Sequence, residues 1–180
     1  YTPSKQRVLL VFVGYASSKE RNADFVADIV ARTGMSALVV DYSGHGESPF
    51  VLDETRPAQH LLETTIAFDW LRATCPEADI HVMGTSYGGF MASYLTRFRS
   101  FEKLVLRTPA IYEPKDFCSQ HADIDKELTG RVYRKDANVV ACHPLFLQKA
   151  LSEIPTFLVI HENDESVPRE TTSVYETAFA

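Results

Sequence analysis

The chain has 180 residues, 45% of them hydrophobic, with 18 basic against 24 acidic side chains and a formal net charge of −6. A polypeptide of this size buries roughly 70% of the surface its unfolded form exposes, enough for one hydrophobic core, which excludes disorder as the main state. No window approaches the roughly 18 uninterrupted apolar residues of a membrane helix, and the opening YTPSKQR has no apolar core of a secretory signal. An acidic balance without a dense Lys/Arg stripe argues against nucleic acid, whose binding rests on neutralising phosphates.

In chain order, residues 8–13 (VLLVFV), 37–40 (ALVV), 80–83 (IHVM), 104–106 (LVL) and 156–160 (TFLVI) are short apolar runs with the length and branched content of buried strands. Between the first two, residues 20–32 carry Phe25, Val26, Ile29 and Val30 on a 3.6-residue repeat. Residues 58–73 do the same with Leu61, Leu62, Thr65, Ile66 and Trp70. Residues 90–98 and 169–180 also read as helices. Strands alternating with helices predict an α/β layer sandwich around a mostly parallel sheet, because parallel neighbours need crossover connections. Residues 109–155 hold no clear strand, and a connection of that length inside a compact domain predicts a lid or binding loop. The expected organisation is one domain over 1–180, with its core at 1–108 and 156–180 and a cap or lid at 109–155.

Cys75, Cys118 and Cys142 are an odd number at irregular spacing, which reads as reduced thiols of a cytoplasmic protein. Cys118, His121, Cys142 and His143 make a poor chelating set, because neighbouring side chains such as the last two diverge. No metal and no cofactor are expected. The expected partner is a small molecule; oligomeric state is not legible.

Chemistry concentrates in Gly84-Thr85-Ser86-Tyr87-Gly88-Gly89, directly after a strand and before a helix. This is G-x-S-x-G in the setting its mechanics require: a serine on a tight strand-to-helix turn, room for the turn left by glycines, and a helix N-terminus aimed at a developing oxyanion. On these residues the chain resembles the α/β-hydrolase superfamily, in particular its serine esterase and prolyl-oligopeptidase-like branches. Asp41-Tyr42-Ser43-Gly44-His45-Gly46-Glu47-Ser48 is similar to that superfamily's D-x-x-G-x-G-x-S loop. The loop from Val13 through Gly14 and Tyr15 stands where the superfamily carries its oxyanion loop, with Val13 in place of the usual histidine. Asp164 in the D-x-x-V-P run ending at Pro168 matches the triad acid, with Glu162 and Glu165 as alternatives because a glycine usually found after His161 is missing.

The resemblance implies a three-layer α/β-hydrolase fold, here without its first strands and its last strand. It further implies a serine hydrolase of carboxylic esters or thioesters acting through an acyl-enzyme on Ser86. Asp164 would be the acid, the N–H groups of Tyr15 and Tyr87 the oxyanion hole, and Gly14, His45, Phe117 and Phe146 substrate contacts for a small acyl compound. In this superfamily the base is a histidine after the acid, yet all six histidines precede or adjoin Asp164, at 45, 60, 81, 121, 143 and 161. A histidine beyond residue 180 of a longer chain is therefore expected, with a rearranged triad through His161 or His45 as the alternative. A peptidase of the oligopeptidase-like branch and a non-catalytic binding protein on the same scaffold stand as alternatives.

Overall fold

The computed structural model describes residues 6–147 and 153–179. Residues 1–5, 148–152 and 180 of the expected domain, cap and last helix lie outside the described residues. Five strands, β1 (Arg7–Phe12), β2 (Ser36–Val40), β3 (Asp79–Thr85), β4 (Lys103–Arg107) and β5 (Thr156–Val159), form one parallel sheet in the order β2-β1-β3-β4-β5. Each coincides with one of the five apolar runs. All five carboxyl ends share one edge, so the loops after β1, β3, β4 and β5 gather there.

Side chains alternate across a strand, and β1 divides its residues accordingly. Leu9 and Val11 join Met83 and Val26 on one face, beneath α1 (Lys19–Thr33). Val8, Leu10 and Phe12 join the larger core on the other face, shared with α2 (Pro57–Thr74), α3 (Tyr87–Leu95) and α5 (Arg169–Ala178). The result is the expected three-layer α/β sandwich. Helix α1 has matched ends: the Ser18 hydroxyl accepts from the Arg21 N–H, and Gly34, at φ 66°, donates its N–H back to the Val30 carbonyl. Proline at the first position of α2 fits a slot where no N–H partner is available. Every residue of α3 is buried, which marks it as the central helix against the sheet.

The buried face of α2 differs from the expected one. Leu62, Ile66 and Trp70 are 60%, 56% and 58% exposed, whereas Pro57, His60, Thr64, Phe68 and Leu71 are buried. Apolar residues surround this helix, so periodicity does not select a face. The choice falls to His60 and Thr64, whose polar atoms meet the hydroxyls of Tyr87 and Tyr42 inside the core. Residues 109–147 contain short 3₁₀ and π turns and a single α-helical turn, α4 (Ala137–Ala141), with no strand among the described residues. No helix among the described residues is long and apolar enough to cross a membrane.

The rotated face is measurable. Phe68→Ala is expected to cost about 3–5 kcal/mol in urea denaturation, against about 0.5 kcal/mol or less for Ile66→Ala. Equal losses would restore the face expected from periodicity.

Candidate active site

Strand β3 ends at Thr85 and α3 begins at Tyr87, which leaves Ser86 alone to reverse the chain. It does so at φ 51° and ψ −112°, a conformation that costs a side-chain-bearing residue about 1–3 kcal/mol. Three backbone hydrogen bonds hold it: the Ser86 N–H donates to the Arg107 carbonyl at 2.9 Å, and the Ser86 carbonyl accepts from Phe90 and Ala110 at 3.1 and 3.0 Å. A Cβ on Gly84 would strike the Gly88 backbone, and one on Gly88 would strike the carbonyls of Phe12 and Val13. Both glycines are required by close approach. Among the described residues, the non-glycine residues with positive φ are Ala16, Ser86 and Thr108, each in the loop that follows the carboxyl end of a strand. Strain is thus concentrated at the edge where the site lies.

The loop after β1 abuts the serine: a Cβ built on Gly14 would stand 3.7 Å from that of Ser86. Within this loop the Ser17 N–H donates to Gly14 O, and the Ala16 N–H to Nε2 of His45 at 3.1 Å. The Tyr15 N–H has no acceptor among the described residues, and that of Tyr87 is a first-turn helix donor with none inside its helix. His45 was expected to touch substrate; instead it is buried and braces the loop. Accepting from Ala16 leaves the proton on Nδ1, which donates to Ser43 O at 3.3 Å.

Beneath this loop lies an aromatic, polar cluster. The Tyr87 hydroxyl bonds Nδ1 of His60 at 2.7 Å and Nε2 of His121 at 3.4 Å, while Nε2 of His60 donates to Ser43 O at 2.9 Å. Burial pushes the histidines down: His60 to about 4, His121 to about 3 with help from His60 and His45, and His45 below its ordinary value. His143, against Phe90, Tyr94 and Phe146, is likewise held by burial at about 4. Burial thus favours the neutral form of these four rings.

On the loop after β5, Oδ1 of Asp164 accepts from the N–H groups of Ser166 and Val167, both at 2.9 Å. Its Oδ2 stands 3.9 Å from Nδ1 of His161, too far for a hydrogen bond. Glu162 and Glu165 are exposed, whereas the Asp164 side chain is 17% exposed. No side chain among the described residues, histidine or other, hydrogen-bonds the Ser86 hydroxyl.

Ser86 opens into a cleft of about 310 Å³ walled by Tyr15, Tyr112, His121, Lys126 and Arg134, with Ser166 at its edge. Phe117 and Phe146, expected as substrate contacts, face elsewhere. Phe117 packs on Phe90 and Tyr94, and Phe146 on Tyr175, so both join the core against α3 and α5. Sequence reasoning missed Tyr112, His121, Lys126 and Arg134 as lining groups, because residues 109–147 carry no periodicity to assign their faces. One weak signal existed: Arg134 has no carboxylate three or four residues away in sequence.

A parallel sheet with a serine elbow at its carboxyl edge defines an α/β-hydrolase. The family profile described as Serine aminopeptidase, S33, matches residues 3–177, and the chain belongs to that family. Among solved structures, a monoacylglycerol lipase from Paleococcus ferrophilus is 15% identical with a TM-score of 0.64, over 97% of this chain and 81% of its own. An esterase from Pyrococcus furiosus is 21% identical with a TM-score of 0.65, over 98% and 69%. A carboxyl esterase from Bacillus coagulans in complex with glycerol is 15% identical with a TM-score of 0.52, over 64% of this chain. The match spans only 40% of that enzyme's length. At such identities the likeness speaks for the fold. No curated protein sequence matches the chain significantly.

The buried histidines dictate a pH response. Their ordinary value near 6.5 applies in the unfolded chain, so between about 6.5 and 4 the unfolded state binds more protons than the folded one. Stability is therefore full above that window and falls as pH drops through it. Denaturant midpoints at pH 7.5, 6 and 5 should decline in that order, and His60→Gln should reduce the slope; a flat or rising profile would contradict the buried neutral assignment.

Proposed function

We propose that the protein is a serine hydrolase that cleaves carboxylic esters or thioesters of modest size through an acyl-enzyme on Ser86. The observation that carries this reading is the strained single-residue reversal at Ser86, which points an unbonded hydroxyl into the cleft beside the free N–H groups of Tyr15 and Tyr87. Ser86 Oγ attacks the substrate carbonyl, and the oxyanion is received by those two N–H groups, each worth about 3 kcal/mol of barrier. The hydroxyl proton passes to a general base, then to the leaving group; water repeats the sequence on the acyl-enzyme. Asp164 would orient that base through Oδ2, the oxygen left without a hydrogen bond while Oδ1 is fixed by two N–H groups. None of the six histidines hydrogen-bonds the Ser86 hydroxyl among the described residues, so none of them is assigned as that base. No cofactor enters the scheme. A cytoplasmic location accompanies the proposal, supported by three unpaired cysteines.

Two other readings each rest on one observation. The family description favours a peptidase, against which stands a cleft at the small end of the usual 300–1,000 Å³ range. The lack of any histidine in hydrogen-bond contact with Ser86 among the described residues favours a binding protein without turnover.

A fluorophosphonate probe should label Ser86 and fail on Ser86→Ala; labelling that persists in the variant would sink the nucleophile, and absence of labelling in both would favour the binding protein. Asp164→Asn should lower kcat by about 10⁴ with little change in KM, as in serine-protease triads. An equal loss at Glu162→Gln or Glu165→Gln with Asp164→Asn silent would move the acid.

A further inference from the structure

The charge on the cleft wall runs against the charge of the chain. A protein with 24 acidic and 18 basic residues lines the cavity around Ser86 with Lys126 and Arg134 and, among the described residues, with no aspartate or glutamate. Arg134 is half-buried and held by neutral partners. Its Nε donates to Ile111 O at 2.8 Å, its Nη1 to Ser166 O at 3.0 Å, and its guanidinium carbon sits 4.7 Å over the Tyr112 ring. Its own backbone is fixed too, because the Thr171 hydroxyl donates to the Arg134 carbonyl at 2.7 Å. No carboxylate pairs with it among the described residues. A guanidinium has five N–H donors in a planar fork; two are directed at carbonyls, and the charge itself is unmatched.

Lys126 is the second cation. Its ammonium lies 5.4 Å over the ring of Tyr15 and 4.0 Å from Asp53, with both side chains more than half exposed, so that pairing is weak. Asp116, a buried carboxylate, stands behind Thr129 and accepts its hydroxyl proton at 3.1 Å. Its field opposes an anion on the Thr129 side, leaving the Arg134 side as the favourable one.

An uncharged acyl chain filling this cleft would strip water from Arg134 and offer nothing in return, which is unfavourable for a charged group. A carboxylate would complete the fork with charge-assisted hydrogen bonds to a donor already immobilised. We propose that the cleft takes an ester bearing a second, free carboxylate, seated on Arg134 with Lys126 as the outer cation. Arg134 is thereby a specificity-determining residue. This inference rests on the reading of Ser86 as nucleophile.

The experiment compares the neutral ester p-nitrophenyl butyrate with the p-nitrophenyl monoester of glutaric acid on the full chain. The anionic ester should have kcat/KM about tenfold or more above the neutral one, and Arg134→Met and Lys126→Ala should each pull that ratio toward one. Lys126 is exposed, so its variant reads the subsite even if Arg134→Met fails to fold. Equal kcat/KM for the two esters with a ratio unmoved in Lys126→Ala would overturn the proposal. Calorimetry of monomethyl glutarate against methyl butyrate on Ser86→Ala reads the subsite without catalysis. Preferential binding of the acid there, lost in Ser86→Ala/Lys126→Ala, supports the subsite even if neither aryl ester turns over, an outcome that would count against Ser86 instead. No preference in that titration overturns the subsite.

Discussion

One residue has to turn the chain from β3 into α3, and that steric demand organises the whole carboxyl edge of the sheet. With Ser86 spent on the reversal, α3 starts so close to β1 that Gly88 meets the carbonyls of Phe12 and Val13, where no Cβ fits. The loop leaving β1 must then run past the N-terminus of α3. The Ser86 hydroxyl, the helix dipole and the free loop N–H therefore share a neighbourhood for a single geometric reason. The strain persists because α3 is buried along its length and three backbone bonds clamp the serine.

The loop after β1 packs Val13 and Tyr15 against the core, and the polar cluster below it braces the rest through His45. His45 serves this only as a neutral imidazole with a lone pair on Nε2, since an imidazolium could not accept from the Ala16 N–H. Burial among Tyr15, Tyr42, His60 and Tyr87 enforces that state. The same burial makes each polar atom depend on its partner: Tyr87 needs His60, and His60 needs Ser43. The cluster thus trades tolerance of acid for a fixed loop.

Strands and the elbow were legible because both are written in local sequence: an apolar run of strand length, then glycines flanking a serine. The face of α2 was not, because Leu62, Ile66 and Trp70 compete with Phe68 and Leu71 on hydrophobicity while the decision rests on two polar residues whose partners are 27 and 22 positions away. His45 stood within a legible turn, yet its partner Ala16 is 29 positions off, so its bracing role was invisible. Residues 109–147 were legible only as an interruption. Their aromatic side chains divide between core and cleft by tertiary contact, with Phe117 and Phe146 taken by the core and Tyr112 shared with the cleft wall.

The backbone of the sheet edge positions Ser86, whereas side chains of residues 109–147 wall its cleft, and Arg134 joins the two. Through Ile111 it holds the loop after β4, and through Ser166 the loop that carries Asp164. Helix α5 fixes the same region from below, with Thr171 on the Arg134 carbonyl and Tyr175 on that of Ala110. Ala110 in turn donates to Ser86 O. A group bound at the Arg134 guanidinium would therefore pull on a residue tied by direct hydrogen bonds to the loop carrying Asp164 and, through two loop residues, to the serine. Under the proposed mechanism, recognition of a distant substrate group and alignment of Ser86 and Asp164 would draw on the same contacts, and binding energy away from the scissile bond would become available to the chemical step.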